Sequence, residues 1–180
     1  MRRRDVVAGI VGVGALGSAG FTAVYGLPTS SEGEDRRHEP IDLETVAATG
    51  SDAGTVTVPT ESGVTFVDLF ATTCDVCREQ MPTLGELHDR YGEEMTFVSV
   101  TNERAQFVDD DALAAWWDDH DGRWTLARDP TSELIVHYGT STPTAVLFDS
   151  AGNVVWEDTG RKSLEEFEAN VRPVLERERA

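Results

Sequence analysis

Cys74 and Cys77 are the only cysteines of this 180-residue chain, and they lie within one four-residue stretch. The apolar run Val64–Phe70 that precedes them has the composition of a buried β-strand, and residues 78–84 after them are typical of a helix. Two thiols three positions apart at a strand-to-helix turn are placed to exchange a disulfide with another molecule. This turn makes thiol–disulfide chemistry the first hypothesis.

Two other roles for this cysteine pair are less well supported. A disulfide that closes a four-residue loop constrains the unfolded chain very little, so its structural value is small. A zinc site needs four ligands, and the sequence has no second cysteine pair and no two histidines at ligand spacing. We therefore expect no metal, and no cofactor beyond the redox-active disulfide Cys74–Cys77.

The chain is strongly acidic. It has 15 basic and 33 acidic residues, for a formal net charge of −18, and Lys162 is its only lysine. Such self-repulsion destabilises a compact state in dilute buffer, but at 1 M salt the Debye length is only about 3 Å. The composition therefore indicates adaptation to multimolar salt, as in a halophilic archaeon. It also argues against a nucleic-acid partner, because binding phosphates requires a basic face.

Residues 1–28 have the pattern of an export signal or a membrane anchor. Three arginines precede an uncharged segment, and residues 6–25 would span about 30 Å as a helix, which is enough to cross a bilayer. Arg3 and Arg4, followed by one variable residue and then apolar ones, resemble the twin-arginine export pattern. No Ala-x-Ala cleavage site or lipidation cysteine is evident. A cleaved signal and an uncleaved anchor both stay open; we favour the anchor, with the domain outside the membrane.

The rest of the chain divides into a spacer and one domain. Residues 29–54 are polar, acidic and contain glycine, which predicts a flexible linker, with any folded part starting near Ile41. Residues 55–180 alternate between strand-like and helix-like segments in the order β, β, α, β, α, β, α, β, β, α. This order is typical of an α/β domain with a mixed sheet covered by helices.

Hydrophobic periodicity and turn residues place the individual elements. We predict an edge strand at 55–58 and a central strand at 64–70. The other predicted strands are 95–100, 124–127, 144–148 and 154–158, and the predicted helices are 74–91, 112–119, 132–138 and 163–177. Asp110 or Asp111 can cap the second helix, and Ser163 with Glu166 fits the capping-box spacing of the last helix.

In this order the motifs resemble those of the thioredoxin-like family, and more closely its extracytoplasmic, membrane-anchored TlpA/ResA-type thiol–disulfide oxidoreductases. The resemblance covers about residues 55–178. It rests on four landmarks, which are the strand and turn 66–77, Pro82, the tripeptide 142–144 and Gly160. It implies a thioredoxin-like fold, with a central mixed β-sheet flanked by helices and an N-terminal β-hairpin or extension.

Three positions depart from the pattern of that family. Thr73 stands where the family usually has tryptophan. The dipeptide Asp75-Val76 replaces one that commonly has proline in second place, and Gln80 stands where the anchored branch often has glutamate. These departures bear on the reduction potential and the partner rather than on the fold.

The position of the two cysteines suggests how they would react. Cys74 is the candidate nucleophile because unpaired N–H groups and the helix dipole at the start of a helix stabilise a thiolate. Cys77 would then resolve the mixed disulfide. Asp75 opposes the thiolate by placing a negative charge beside it, which favours a reductant over an oxidant.

The resemblance implies further roles for residues outside the cysteine motif. Asp68 corresponds to a buried aspartate that is thought to move protons for the second cysteine, and its burial would raise its pKa. Pro143 corresponds to a cis-proline that faces Cys74. The backbone of Thr142 beside it would pair with an extended substrate segment.

We therefore predict an extracytoplasmic disulfide reductase that acts on protein disulfides and receives electrons from an unidentified membrane thiol-transfer protein. Cytochrome c maturation is one role that the resemblance suggests. Two alternatives stay open. The first is a thioredoxin-like copper-binding chaperone with His137 as a candidate ligand, although the cysteine spacing is shorter than usual. The second is a thiol peroxidase, although Thr72-Thr73 lacks the proline expected before a peroxidatic cysteine.

Overall fold

The computed structural model describes residues 37–138 and 141–180. The expectations for residues 1–28 lie outside these residues. Within them, no helix combines the length and the apolar character needed to cross a membrane.

The described residues form seven strands and four helices, in the order β, β, β, α, β, α, β, α, β, β, α along the chain. The strands are β1 Ile41–Thr45, β2 Gly54–Val58, β3 Val64–Phe70, β4 Met95–Thr101, β5 Thr125–Arg128, β6 Thr144–Phe148 and β7 Val154–Thr159. The helices are α1 Asp75–Tyr91, α2 Asp110–Asp119, α3 Glu133–Tyr138 and α4 Leu164–Glu178. Each element predicted from the sequence between residues 55 and 178 is confirmed, with ends that differ by up to two residues.

The strands make one mixed sheet in the order β2-β1-β5-β4-β3-β6-β7. β4 pairs in parallel with β3 and with β5, and the other neighbours are antiparallel. β3 is central, as predicted, and all seven of its residues are buried. Because β3 and β4 run in parallel with Phe70 opposite Thr101, the loops that follow them start at the same edge of the sheet.

Each face of the sheet has its own apolar core. On β3, Phe66 and Phe70 belong to the core under α1, α2 and α4, which also contains Cys77. Val67 and Leu69, one position out of phase, belong to the core under α3. Since side chains alternate along a strand, Asp68 stands between Phe66 and Phe70 on the face that α1 covers.

The described domain reaches into the segment 29–54, which was predicted as a linker with any folded part starting near Ile41. β1 begins at Ile41 and pairs along its whole length with β2, so this strand lies before residue 55, where the domain itself was predicted to start. Leu43 and Val46 are buried in the domain. The apolar positions of this short segment are separated by acidic and polar residues, so its strand character depends on pairing with β2 and β5. The β1–β2 pair is the N-terminal hairpin that the resemblance implied.

The cap of α4 agrees with the sequence prediction, and the cap of α2 differs from it. The capping box of α4 is present, with Ser163 and Glu166 bonded reciprocally. The cap of α2 is Asp109, rather than Asp110 or Asp111, and its Oδ1 accepts from the N–H of Ala112 at 2.8 Å. Three consecutive aspartates offered equivalent caps, and the backbone conformation that ends the preceding loop selects the first.

Candidate active site

Cys74 and Cys77 form a disulfide at the turn between β3 and α1. Cys74 is the N-cap of α1, and its Sγ accepts a hydrogen bond of 3.1 Å from the N–H of Cys77. Cys74 is half-buried, whereas Cys77 is only 2% exposed. The two sulfurs therefore differ in access, and the one at the helix N-terminus is the one that another molecule can reach.

The loop before β6 closes over the disulfide. The carbonyl oxygen of Thr142 lies 3.5 Å from Sγ of Cys74. The peptide bond between Thr142 and Pro143 is cis, as predicted. Pro143 is buried, and its carbonyl oxygen accepts from the N–H of Gly160 at 2.8 Å. The main chain of Thr142 thus faces the accessible sulfur.

Asp68 is buried, which confirms the expectation for its environment. It is 3% exposed, and its Oδ2 accepts a 3.0 Å hydrogen bond from Oγ of Ser99 on β4. That hydroxyl in turn accepts from the indole N–H of Trp124 at 3.0 Å. Burial raises the pKa of Asp68 from 3.8 to about 7, against a smaller lowering by the Ser99 hydrogen bond.

Gln80 is also buried, at 1% exposure, and both polar groups of its side chain bind the main chain of Lys162. Four other residues on or next to α1 were predicted to support the site, and all four are exposed. Three of them are Thr73, Val76 and Pro82. Asp75 is exposed as well and forms an ion pair with Arg78, so its charge acts on the turn together with a compensating positive one.

Glu103 was not predicted from the sequence, and the fold brings it to the cysteine turn. Its carboxylate accepts hydrogen bonds from the N–H and the hydroxyl of Thr72, at 2.9 and 2.7 Å. The parallel pairing of β3 and β4 could have located it, because residues just beyond the ends of parallel neighbours meet at one edge. That argument needs the strand order, which the sequence alone does not supply.

His137 lies in the last turn of α3, and its ring packs against those of His38 and Tyr138 at centroid distances of 5.0 and 4.9 Å. Among residues 37–138 and 141–180, no three side chains of the metal-binding types are arranged to hold an ion.

Comparison with known proteins identifies related sequences and folds. The profile of the Redoxin family matches residues 22–175. Thiol-disulfide oxidoreductase ResA of Bacillus thuringiensis subsp. konkukian is 26% identical over 111 residues, which cover 61% of this chain and 62% of that protein. The aligned part thus spans less than two thirds of the curated relatives that it matches.

Solved structures share the same fold. StoA from Bacillus subtilis superposes with a TM-score of 0.59 at 17% identity and covers 73% of this chain and 95% of its own. The thioredoxin-like superfamily protein SPOA0173 reaches a TM-score of 0.63 at 15% identity, covering 78% and 96%. These likenesses confirm the predicted thioredoxin-like fold.

Proposed function

This chain belongs to the Redoxin family, and on that premise we propose that it is a thiol–disulfide oxidoreductase that reduces protein disulfides through Cys74 and Cys77. The observation that carries the proposal is the unequal access of the two sulfurs at the start of α1. Cys74 caps the helix within reach of another molecule, and Cys77 is buried behind it. The curated ResA relatives, which are named as thiol-disulfide oxidoreductases, support the same activity.

The reaction starts from the reduced dithiol. The Cys74 thiolate attacks one sulfur of a substrate disulfide, so that a Cys74–substrate bond forms, the substrate S–S bond breaks and one substrate thiolate leaves. The Cys77 sulfur then attacks Cys74 and releases the second substrate thiolate. Two electrons have passed to the substrate, and the protein is left with the Cys74–Cys77 disulfide. A dithiol donor must reduce this disulfide before the next cycle.

Asp68 serves the second step as a base in this proposal. It lies on the sheet face that packs against α1, where Cys77 is buried, and a carboxyl with a pKa of about 7 can take up a proton near neutrality. The proton that Cys77 loses passes to Asp68, directly or through one water, and then to solvent. The released substrate thiolates take their protons from solvent.

Thr142 positions the substrate. Its carbonyl oxygen lies 3.5 Å from the Cys74 sulfur, where the main chain of an extended segment carrying the substrate cysteine could pair with it. Recognition through the main chain would accept many sequences, which suits a reductase of varied protein disulfides.

The decisive test uses the full chain in concentrated salt. Reduced protein is mixed with insulin, and disulfide reduction is followed by alkylation and mass measurement. Replacement of Cys74 by Ser should abolish this single round of insulin reduction, whereas Cys77→Ser should accumulate a mixed disulfide between Cys74 and the substrate. Insulin reduction by the Cys74→Ser variant equal to that by the native protein would overturn the assignment.

We further propose that the domain acts outside the cytoplasmic membrane, carried there by residues 1–28, and that a membrane thiol-transfer protein supplies its electrons. Cytochrome c maturation is one process that requires such a reductase. The basis is the arginine-led apolar pattern of the N-terminus together with the resemblance to the anchored branch. Protease treatment of intact cells tests the location, since an external domain is digested and a cytoplasmic one is protected.

A further inference from the structure

The segment between β4 and α2 is tied to the cysteine turn by one carboxylate. Glu103 accepts from the N–H of Thr72 at 2.9 Å and from its hydroxyl at 2.7 Å, and it also accepts from the hydroxyl of Thr101 at 3.1 Å. Thr72 precedes Cys74 by two residues. The chain on one side of the nucleophile is thus held by a side chain from another loop, independently of α1 on its other side.

Glu103 is itself held in place by a buried arginine. Arg128, on β5, is 4% exposed, and one of its guanidinium N–H groups donates to the carbonyl oxygen of Glu103 at 2.7 Å. Two others donate to the carbonyl of Val108 at 2.8 Å and to Oδ1 of Asp110 at 2.9 Å. The planar guanidinium therefore fixes both ends of the 103–110 segment, so the Glu103 carboxylate is presented from a rigid base.

The turn that Glu103 holds determines where the Cys74 sulfur lies. The N–H of Cys74 donates to the carbonyl of Ala71 at 3.1 Å, and Thr72 lies inside that turn. Both Thr72 donors are directed at Glu103, and the turn leaves the Cys74 sulfur at the N-cap of α1 and 3.5 Å from the Thr142 oxygen. A displaced Thr72 would move this sulfur relative to both the helix end and the substrate-facing carbonyl.

We propose that Glu103 is a positioning residue of the active site, which holds the turn 71–74 through Thr72 and places its negative charge on Thr72, two residues before the nucleophilic cysteine. This inference rests on the proposed disulfide reductase function. A negative charge on this turn disfavours the Cys74 thiolate. It therefore makes the reduced form easier to oxidise, which strengthens the protein as a reductant.

Three variants of the full chain separate position from charge. Glu103→Gln keeps the size and one acceptor oxygen but removes the charge, so the Cys74 thiol should ionise at lower pH. The equilibrium constant of the dithiol/disulfide couple should then shift about tenfold towards the dithiol, a rise of about 30 mV in reduction potential. Glu103→Ala also frees the turn, and should slow the attack on insulin about tenfold even at a pH where the thiol is fully ionised. Thr72→Val removes one of the two hydrogen bonds to Glu103. Its rate of attack on insulin should lie between those of the native protein and Glu103→Ala.

The matched control is Glu93→Gln, which removes the same charge from an exposed position just beyond the opposite end of α1. It should keep the native potential, thiol pKa and turnover. The double variant Thr72→Val/Glu103→Ala should be no slower than Glu103→Ala, because both changes break the same contact. If Glu103→Ala fails to fold, Glu103→Gln and Thr72→Val carry the test.

A merely structural Glu103 would lower the melting temperature and leave the potential, the thiol pKa and the pH profile of attack at their native values. That result in Glu103→Gln and Thr72→Val would overturn the inference. Failure of the proposed function looks different, since the native protein itself would then not reduce insulin. The potential and the thiol pKa can still be measured in that case, so the role of Glu103 is tested separately.

Discussion

Gln80 and Lys162 form a reciprocal pair of hydrogen bonds across the domain. Nε2 of Gln80 donates to the carbonyl oxygen of Lys162 at 3.0 Å, and Oε1 accepts from the N–H of the same residue at 2.7 Å. The contact joins α1, one turn after the cysteines, to the loop between β7 and α4. It requires one donor and one acceptor on the same planar group, which an amide supplies and an ionised carboxylate does not.

This geometry predicts a pH-dependent cost for Gln80→Glu, the residue that the anchored branch often carries. An ionised glutamate would face the Lys162 carbonyl without a donor, lowering the free energy of unfolding by about 1–3 kcal/mol at pH 8. A protonated glutamate could restore both bonds. Burial raises its folded pKa above the unfolded value of about 4.3, so the cost should shrink as the pH falls through the folded pKa.

Urea denaturation of the oxidised protein at pH 5 and pH 8 measures this difference. Glu79→Gln is the control, since Glu79 is exposed and pairs with Arg161 on the surface. If Gln80→Glu lowered the free energy of unfolding equally at both pH values, that result would contradict the argument.

Arg128 should be important for the stability of the 103–110 segment. Arg128→Met keeps most of the length but removes three donors, leaving the carbonyls of Glu103 and Val108 without them. We expect a loss of about 2–4 kcal/mol in the free energy of unfolding and faster amide hydrogen exchange across the segment. Arg104→Met, in the same segment but exposed, should change neither. Native exchange rates in Arg128→Met would show that the guanidinium does not hold the loop.

Most of the fold could be predicted because strong local patterns agree with it. β3 is mainly apolar and fully buried, and α4 has a capping box that its sequence displays. β1 could not be predicted with the same certainty, since Leu43 is flanked by acidic residues and the strand exists through its pairing with β2 and β5. Patterns that depend on a distant partner are hidden from a local analysis.

The same distinction applies to the site. Cys74, Cys77 and Asp68 follow from one strand–turn–helix unit, and the buried environment of Asp68 follows from its apolar neighbours. Glu103 becomes visible only when two parallel strands are known to end side by side. The partner of Gln80 lies 82 residues away in sequence, and no spacing rule points to it.

The excess of acidic residues predicts a strong dependence of stability on salt. With a net charge of −18, self-repulsion should be screened as KCl rises from about 0.1 M, where the Debye length is about 10 Å, to above 1 M, where it is below about 3 Å. The melting temperature should increase over this range. The increase should be smaller near pH 4, where carboxylates begin to be protonated. Calorimetric scans that are independent of KCl at pH 7 would contradict adaptation to salt.

The buried Asp68 predicts that the native protein loses stability as the pH rises. Its pKa is about 7 in the folded protein and 3.8 ordinarily, so the folded state holds a proton that the unfolded state has released between these values. The contribution of Asp68 to the free energy of unfolding is therefore most favourable below about pH 4 and declines up to about pH 7. Relative to the native protein, Asp68→Asn should gain about 3 kcal/mol between pH 5 and pH 8. Asp52→Asn is a control at an exposed position. Its free energy of unfolding should differ from that of the native protein by the same amount at every pH of the denaturation series.

Asp68 should also set the pH dependence of the resolving step. If it accepts the proton of Cys77, release of substrate from the mixed disulfide should accelerate as the pH rises through about 7, where the carboxyl ionises. Asp68→Asn should remove that dependence and slow the step by about 10²–10⁴-fold near neutrality, while formation of the mixed disulfide by Cys74 is little changed. Rapid-quench alkylation separates the two steps in single-turnover experiments. A variant that releases substrate at the native rate near pH 7 would exclude Asp68 as the base, and the gain in stability described above would then reflect burial alone.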